Sequence, residues 1–363
     1  MSSLFWGVRA ESVRSATEAV AGTDGSGSAL AVAPRDAAGD GGDDEFTGRE
    51  AKPKSSEPFM RALWSAAHRV VAPRTLFSAV QYVSPAFSDC VTHFDLRGQS
   101  RRVAITIDDA PSDAGLMHRT LDALRDFGVR ATFFVVANFC RDAARLATLR
   151  RAVAEGHELG NHLCDDASSQ HMTDDEFRGA LGLCDELIAS LDPDWADRPF
   201  RWFRPPQGYM SRSMKKILAE RGYSSALADV FPLDTEVRSV EWLVDFVVDN
   251  SRPGSIVLLH APDVRRTKNG RKHERQNNAD VFPLLFPKLQ EAFDLGTLSD
   301  LALAHRDALQ AEQEAARAAE DDAAAAAAAA AAAPAEQPAA LVVAPSRSAF
   351  GGWFSSGAPA PAS

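Results

Sequence analysis

Strand-like and helical patterns alternate along residues 91–305, and this alternation constrains the fold more than any other feature of the chain. Six short runs have the length and composition of buried strands. They are VAITID (103–108), ATFFVVA (131–137), HELGNH (157–162), RWFRPP (201–206), SSALADVF (224–231) and SIVLLH (255–260). Stretches with helical spacing of apolar residues lie between them, such as RDAARLATLRRAVAEG (141–156) and SRSMKKILAERG (211–222). With HFDLRG (93–98) as a seventh strand, the pattern predicts an α/β fold, a distorted (β/α) barrel of about seven parallel strands.

The segments that flank the barrel lack this alternation. Segment 1–55 is rich in Gly, Asp and Ser and is predicted to be disordered, because it cannot bury enough apolar surface to fold. Segment 56–90 contains PFMRALWSAAHRVVAP, whose spacing predicts a docking helix, with attachment to a membrane surface as the alternative. Residues 306–333 are predicted to form an Ala-rich helix, and the Pro-rich tail 334–363 is predicted to be disordered.

The chain is acidic, with a formal net charge of −11 over 363 residues. This charge argues against nucleic acid and anionic membranes as partners, because binding to phosphates requires clustered Lys and Arg. No stretch has the character of a transmembrane span, and no export or transit signal is recognised, which favours the cytoplasm without fixing the localisation. The sequence leaves the oligomeric state open. Four cysteines without CxxC spacing are predicted to be reduced thiols: Cys90, Cys140, Cys164 and Cys184.

Asp108 and Asp109 end the first strand-like run, in VAITIDDAPSD (103–113). Successive strand side chains point to opposite sides, so one carboxylate can bind a cation while the other handles protons. Two carboxylates this close resist joint ionisation unless a cation or an arginine lies between them. The alternative is that the pair caps a helix, although Ser112 and Asp113 can do this alone.

Polar residues also stand at or after the ends of other strand-like runs. They are His162, Arg204, Asp234 and His260. In (β/α) barrels the carboxyl ends of the strands carry the chemistry, so we expect these side chains to converge with the two aspartates on one mouth of the barrel. His93 and His157 lie near the same strands, and as single histidines they favour structural roles.

His162 and Asp166 are four positions apart in GHELGNHLCDD (156–166). On a helical turn this spacing places both side chains on one face, within reach of one cation, and Asp109 would add a second carboxylate. Three such ligands leave positions open for water and substrate. The alternative is that Asp165 and Asp166 cap a helix that starts near Ala167.

Over about 91–305 these residues resemble the polysaccharide deacetylases of the NodB homology type, carbohydrate esterase family four. All five family motifs occur in order. VAITIDDAPS resembles the TFDDGP strand, GHELGNHLCDD the HxxxH segment, FRPPQG the RPPxG turn, PLDTEV the DTxD segment and IVLLH the LxH strand.

The resemblance implies a role for each candidate site residue. Asp108 would be the general base and His260 the general acid, with Arg204 orienting Asp108 and Asp234 tuning His260. The backbone N–H at Gln207 would contribute to the oxyanion site. One divalent metal ion would be held by three ligands: Asp109, His162 and Asp166.

The sequence departs from the family pattern near these motifs. Asp166 stands where the family usually has a second histidine, and Ala110 stands where it has glycine. A carboxylate in place of an imidazole makes the site harder, so Mn²⁺ and Co²⁺ are alternatives to Zn²⁺. The tryptophan expected shortly after Asp234 is absent, and Ala261 rather than aspartate follows His260, which leaves the substrate preference open.

Three functions remain open on the sequence alone. The leading one is a metal-dependent hydrolase of C–N amide bonds that removes N-acetyl groups from an amino-sugar polymer or oligomer such as chitin. The second is the same barrel acting on a small non-sugar amide or imide, which the missing export signal favours, because polymers usually lie outside the cell. The third is an inactive carbohydrate-binding relative, which the complete set of candidate base, acid and ligands disfavours.

Overall fold

The computed structural model describes residues 58, 61, 62, 64–66, 74, 90–169, 171–262, 264–266, 272–274 and 278–332. The predictions of disorder for 1–55 and 334–363 lie outside these residues. The chain divides into two compact units, 1–311 and 312–363.

Seven strands form one parallel sheet. In chain order the strands among the described residues are β1 Arg102–Ala110, β2 Thr132–Val135, β3 Glu158–Asn161, β4 Arg201–Phe203, β5 Tyr223–Ser225, β6 Ile256–His260, β7 Val264–Arg266, β8 Lys272–Glu274 and β9 Asp294–Gly296. The sheet has the order β5-β4-β3-β2-β1-β6, with β9 also paired to β1, while β7 and β8 form a separate antiparallel ribbon. The six runs from VAITID to SIVLLH each contain or overlap one strand of this sheet.

Single bridges span the gap between β5 and β6. Val91 pairs with Ala226, next to β5, and Val230 pairs with Val257 in β6. The Val230 N–H donates to the carbonyl of Ile256 at 3.2 Å, and the Leu258 N–H donates to Val230 at 2.9 Å. The sheet is therefore a distorted parallel barrel, which confirms the predicted fold class.

The prediction of a strand at HFDLRG was wrong. His93 makes one isolated antiparallel bridge with Ser255, and the chain then turns at Arg97 and Gly98, whose φ angles are 51° and 71°. The Asp95 carboxylate accepts from the Arg97 N–H at 3.0 Å and closes this turn. The seventh strand is instead β9, which pairs with β1 and was not predicted from the sequence.

Helices follow the strands as in other βα repeats. They are α1 Ala114–Asp126, α2 Ala143–Ala154, α3 Asp174–Leu191, α4 Arg212–Glu220, α5 Val240–Asn250, α6 Asn278–Gln290 and α7 Leu298–Ala332. Side-chain caps start several of them, because the first turn of a helix has unpaired N–H groups. Asp113 caps α1 and Thr173 forms a capping box with Glu176 at α3. None of the helices among the described residues is long and apolar enough to cross a membrane.

Alternate residues of the strands pack into two separate apolar clusters. In β2, Phe133 lies in the cluster that packs against the helices, while Phe134 lies in the cluster on the inner face of the sheet with Trp202. In β1, Ala104 belongs to this inner cluster. Because strand side chains repeat every two residues, Thr106 and Asp108 follow Ala104 along the inner face. The inner face is therefore apolar at one end and polar towards the carboxyl ends of the strands.

Candidate functional site

Asp108 and Asp109 lie in β1 where its pairing is irregular. The register with β2 shifts between Ile107 and Ala110, and Asp109 has a left-handed φ of 62°. Both carboxylates approach the Nε2 atom of His162, Asp108 through Oδ2 at 3.9 Å and Asp109 through Oδ1 at 3.8 Å. The expectation that the two side chains point to opposite sides was wrong, because it assumed regular strand geometry. The alternative role as a helix cap does not apply, since Asp113 caps α1.

Arg204 follows β4, and all three nitrogens of its guanidinium donate hydrogen bonds. Nη1 donates to Asp108 Oδ1 at 2.6 Å and to Thr106 Oγ1 at 2.8 Å. Nε and Nη2 donate to the carbonyls of Ala226 and Leu227 at 3.1 Å and 2.9 Å. The guanidinium carbon also lies 4.1 Å from the centre of the Phe134 ring.

The Arg204 side chain is only 1% exposed. Burial lowers the pKa of Arg204, and the neighbouring Asp108 opposes this effect. A buried charge-assisted hydrogen bond of this kind fixes the orientation of the carboxylate, because moving Asp108 would leave a buried cation without its partner.

His162 follows β3 and presents one nitrogen to the two aspartates. Its Nδ1 atom lies 2.6 Å from the carbonyl oxygen of Arg204. A carbonyl only accepts hydrogen bonds, so Nδ1 carries the proton and Nε2 has a lone pair when the ring is neutral. A lone pair that faces two carboxylates is repelled unless a cation or a proton lies between them. Asp109 and His162 therefore fit as two ligands of a divalent cation.

Asn161 fixes the backbone on either side of His162. Its Oδ1 accepts from the Leu163 N–H at 2.9 Å, and its Nδ2 donates to the Leu181 carbonyl and to Asp185, each at 3.0 Å. Tyr223 also donates to Asp185. Leu163 has a φ of 62°, and the bond from Asn161 holds it in this costly conformation.

Asp166 does not share a helical turn with His162. Residues 164–167 form bends rather than a helical turn, and the next helix, α3, begins at Asp174. Both the helical spacing assumed for His162 and Asp166 and the alternative of a helix near Ala167 were therefore wrong. Within the part of the chain that the structure describes, no group of three His, Cys, Asp or Glu side chains is arranged so that it could hold a metal ion.

His260 ends β6 and is paired with Asp234. Its Nδ1 lies 2.9 Å from Asp234 Oδ1, and its backbone N–H donates to Asp234 Oδ2 at 2.7 Å. Burial alone would lower the pKa of His260, but the Asp234 carboxylate, helped by Asp108 and Asp109, raises it to about 9. The ring is 17% exposed and lies at the carboxyl end of its strand, where Asp108 and His260 are register partners in β1 and β6. This histidine can therefore carry a proton near neutral pH at the mouth of the barrel.

Gln207 lies in the turn after Arg204. It has a φ of 55° and a ψ of 17° within the short 3₁₀ turn Pro206–Gly208, and Gly208 continues with a φ of 72°. Two successive residues in the left-handed region reverse the chain tightly.

Unusual backbone angles concentrate at these positions. Among the described residues five non-glycine residues have positive φ, and only Arg97 lies away from the candidate site. The other four are Asp109, Leu163, Gln207 and Leu233. Conformations of this kind cost roughly 1–3 kcal/mol each and cluster at functional sites, where the surrounding structure holds them.

Two further residues, Thr106 and Asn161, organise this site and were not predicted from the sequence. Thr106 bridges the Arg204 guanidinium and the Val257 carbonyl. A period of two along β1 places Thr106 on the same face as Asp108, and this signal could have identified it. Asn161 carries no comparable signal, because its partners come from α3 and β5.

The chain is similar to known deacetylases over part of its length. The polysaccharide deacetylase family profile matches residues 96–226, so Asp234 and His260 lie beyond the matched range. A peptidoglycan-N-acetylglucosamine deacetylase from Bacillus cereus is 30% identical over 169 residues, which are 46% of this chain and 76% of the relative. A chitooligosaccharide deacetylase from Sinorhizobium fredii is 33% identical over 164 residues, 44% of this chain and 71% of the relative.

A solved structure has the same fold. A peptidoglycan N-acetylglucosamine deacetylase superposes with a TM-score of 0.52 and 22% identity, over 61% of this chain and 95% of the solved chain. At this identity the similarity concerns the fold alone.

Proposed function

Because this chain belongs to the polysaccharide deacetylase family and has its NodB-type barrel, we propose that it is a hydrolase that removes N-acetyl groups from an N-acetylated amino-sugar polymer or oligomer. The relatives named above act on peptidoglycan or chitooligosaccharides, which suggests the substrate class. One observation carries the proposal. Asp108 and His260 are register partners on the neighbouring strands β1 and β6. The Asp108 carboxylate is fixed by Arg204, and His260 has a raised pKa.

Asp108 is the proposed general base. Arg204 holds one carboxylate oxygen, Oδ1, and the other, Oδ2, faces His162. A water molecule that attacks the acetamide carbonyl would give its proton to this carboxylate. The fixed orientation matters because general-base catalysis requires the base within hydrogen-bonding distance of the water.

His260 is the proposed general acid. An amine anion is a very poor leaving group, so the C–N bond breaks only if the nitrogen is protonated. Asp234 holds Nδ1 of His260, which leaves Nε2 to donate its proton to the leaving amine. The raised pKa keeps the ring protonated at neutral pH.

The backbone N–H of Gln207 is the proposed donor to the developing oxyanion. The left-handed conformation at Gln207 sets the direction of the peptide groups in this turn without using its side chain.

Asp109 and His162 are the proposed ligands of one divalent cation, with Zn²⁺ favoured by the family and Mn²⁺ or Co²⁺ as alternatives. Such a cation, when bound, would act as a Lewis acid on the substrate carbonyl. Asp166 stays a proposed third ligand, although the structure does not group it with the other two.

A substrate comparison tests the proposed reaction. We expect release of acetate from N-acetylated chito-oligomers, and little from a panel of small amides and imides, each assayed with Zn²⁺, Mn²⁺ and Co²⁺. Asp108→Asn should abolish turnover because it removes the base. His260→Ala should reduce amide hydrolysis roughly 10²- to 10⁴-fold and affect an activated acetate ester far less, because that leaving group departs unprotonated. Activity on small amides alone would overturn the proposed substrate, and no activity on either class would favour an inactive relative.

Metal content tests the proposed ligands separately. Elemental analysis after gel filtration should find about one divalent cation per chain, lost in the double variant Asp109→Ala, His162→Ala. The metal content of Asp166→Ala tests the proposed third ligand. Loss of metal in this variant would support Asp166 as the third ligand, whereas full retention would assign that position to another group or to water.

A further inference from the structure

The segment Asp229–Asp234 contains Val230, which forms a single bridge with Val257 in β6, and Asp234, which binds the ring of His260. Its two ends carry buried carboxylates, Asp229 and Asp234, and both accept hydrogen bonds from backbone N–H groups of β6. Asp229 Oδ1 accepts from Ile256 at 2.8 Å, and Asp234 Oδ2 accepts from His260 at 2.7 Å. The position of His260 therefore depends on this segment.

Trp64 contacts the middle of the segment. Its indole Nε1 donates to the carbonyl of Phe231 at 2.9 Å, and the two rings meet edge to face with their centres 6.3 Å apart. Phe231 also contacts the site, since its ring centre is 5.7 Å from that of His260. Phe231 is thus in contact with both Trp64 and the proposed acid.

Arg74 contacts the start of the segment. Its Nε donates to Asp229 Oδ2 at 2.9 Å, and its Nη2 donates to the Pro253 carbonyl at 2.8 Å and to Ser255 Oγ at 3.1 Å. Asp229 is 2% exposed, and burial raises its pKa while the Arg74 guanidinium opposes this effect. Arg74 therefore joins the segment to the start of β6.

We propose that Trp64 and Arg74 are positioning residues, which hold the segment Asp229–Asp234 so that Asp234 and His260 keep the geometry needed for acid catalysis. Both lie outside residues 96–226, the range that the family profile matches. Two residues that precede the barrel, Trp64 and Arg74, thus support the segment that holds the proposed general acid. This inference rests on the proposed function where it concerns catalysis.

A comparison of kcat on amide and ester substrates distinguishes a misplaced general acid from a general loss of active-site structure. Trp64→Ala should lower kcat for the acetamide about tenfold and leave kcat for an activated acetate ester within about twofold, because only the amide needs a proton from His260. Trp64→Phe keeps an aromatic ring and loses the N–H donor, so it should recover part of this loss. Arg74→Gln should act in the same direction as Trp64→Ala.

Arg61→Gln is the matched control. Arg61 lies in the same helical stretch as Trp64 and packs over Trp242, 5.8 Å from the ring centre, so its replacement should leave the amide-to-ester ratio unchanged. Equal losses on both substrates in Trp64→Ala would overturn the proposal. Failure of His260→Ala itself to discriminate the two substrates would instead overturn the proposed function.

Hydrogen exchange tests the structural half of the proposal without any substrate. Trp64→Ala should accelerate exchange in peptides that contain 229–234 and 256–260, because the N–H groups of Ile256 and His260 donate hydrogen bonds to this segment. The amides of β2 and β3 should stay as protected as before. Unchanged exchange at 256–260, or faster exchange throughout the barrel, would overturn it.

Discussion

A buried histidine, His157, and a partly buried one, His260, have their pKa values shifted in opposite directions. The pKa of His260 is raised to about 9, because the Asp234 carboxylate outweighs the effect of burial. The pKa of His157 is lowered to about 4, mainly by burial. The Glu155 carboxylate raises this pKa, but its Oε2 lies 4.0 Å from His157 Nε2, too far to offset the burial. A carboxylate at hydrogen-bonding distance therefore decides whether a buried ring carries a proton at neutral pH.

The Asp234→Asn variant should move the basic limb of the pH profile. If His260 must be protonated, kcat/KM falls as the pH rises through the pKa of His260. Removing the negative charge of Asp234 leaves burial as the main influence, so this pKa falls and the basic limb shifts to lower pH. Measurement of kcat/KM between about pH 5 and 10 would show the shift. An unmoved limb would mean that the limb reports another group of the coupled site.

Asn161→Ala should destabilise the protein and impair turnover together. The change leaves the Leu163 N–H and part of Asp185 without partners in a buried region, which costs about 1–3 kcal/mol. It also frees Leu163 from the bond that holds its left-handed conformation, so His162 loses its fixed orientation. Urea unfolding and kcat would measure both effects. Tyr223→Phe is the comparison, because it keeps the Asn161 bonds to Leu163 and Leu181, and it should reduce kcat much less.

Helix starts in this protein follow local sequence closely. Thr173 accepts from the Glu176 N–H at 3.3 Å and Glu176 accepts from the Thr173 N–H at 2.8 Å, which is the reciprocal capping box of α3. The segment before it, 164–169, has no helical residues, although it contains two aspartates that also suit helix caps. The start of α3 is set at Thr173 because both halves of the capping box are present there.

Thr173→Ala should lower the free energy of unfolding by about 1 kcal/mol, because it removes one half of this cap. Urea denaturation gives the value directly. Ser190→Ala is a suitable control, since Ser190 lies exposed in the last turn of the same helix and donates only to the Leu187 carbonyl. A loss as large for Ser190 as for Thr173 would show that the cap makes no special contribution.

The stability of the whole barrel should fall in mild acid because of His157. This ring accepts from the Ala131 N–H at 3.1 Å and stays neutral in the folded protein down to about pH 4. The unfolded chain takes up the proton near pH 6.5, so it binds more protons between these values, and stability is lost as the pH falls from about 6.5 to about 4. The loss amounts to about 3 kcal/mol.

His157→Asn tests this prediction. An asparagine oxygen can accept from the Ala131 N–H in place of Nδ1 but does not titrate. Unfolding free energies of the two proteins measured from pH 7 to pH 4 should therefore diverge, with the steeper decline in the parent. Parallel curves would show that titrating groups other than His157 govern the acid response.

The sequence by itself determined the barrel and the strand ends that meet at its mouth. The period of two in the apolar runs and the helical spacing between them are local patterns, so each could be recognised without its neighbours. Parallel strands then bring their carboxyl ends to one edge, which is why the convergence of Asp108, His162, Arg204 and His260 could be predicted.

Tertiary structure decided the details that depend on distant contacts. The bulge at Asp109 turns both carboxylates towards His162, and no local pattern signals such a bulge. The chain after His162 forms bends, although the spacing of His162 and Asp166 suited a helical turn. The contacts of Trp64 and Arg74 with 229–234 join residues more than 150 positions apart. Sequence patterns report local periodicity, whereas these features arise from packing between segments that meet only in the folded protein.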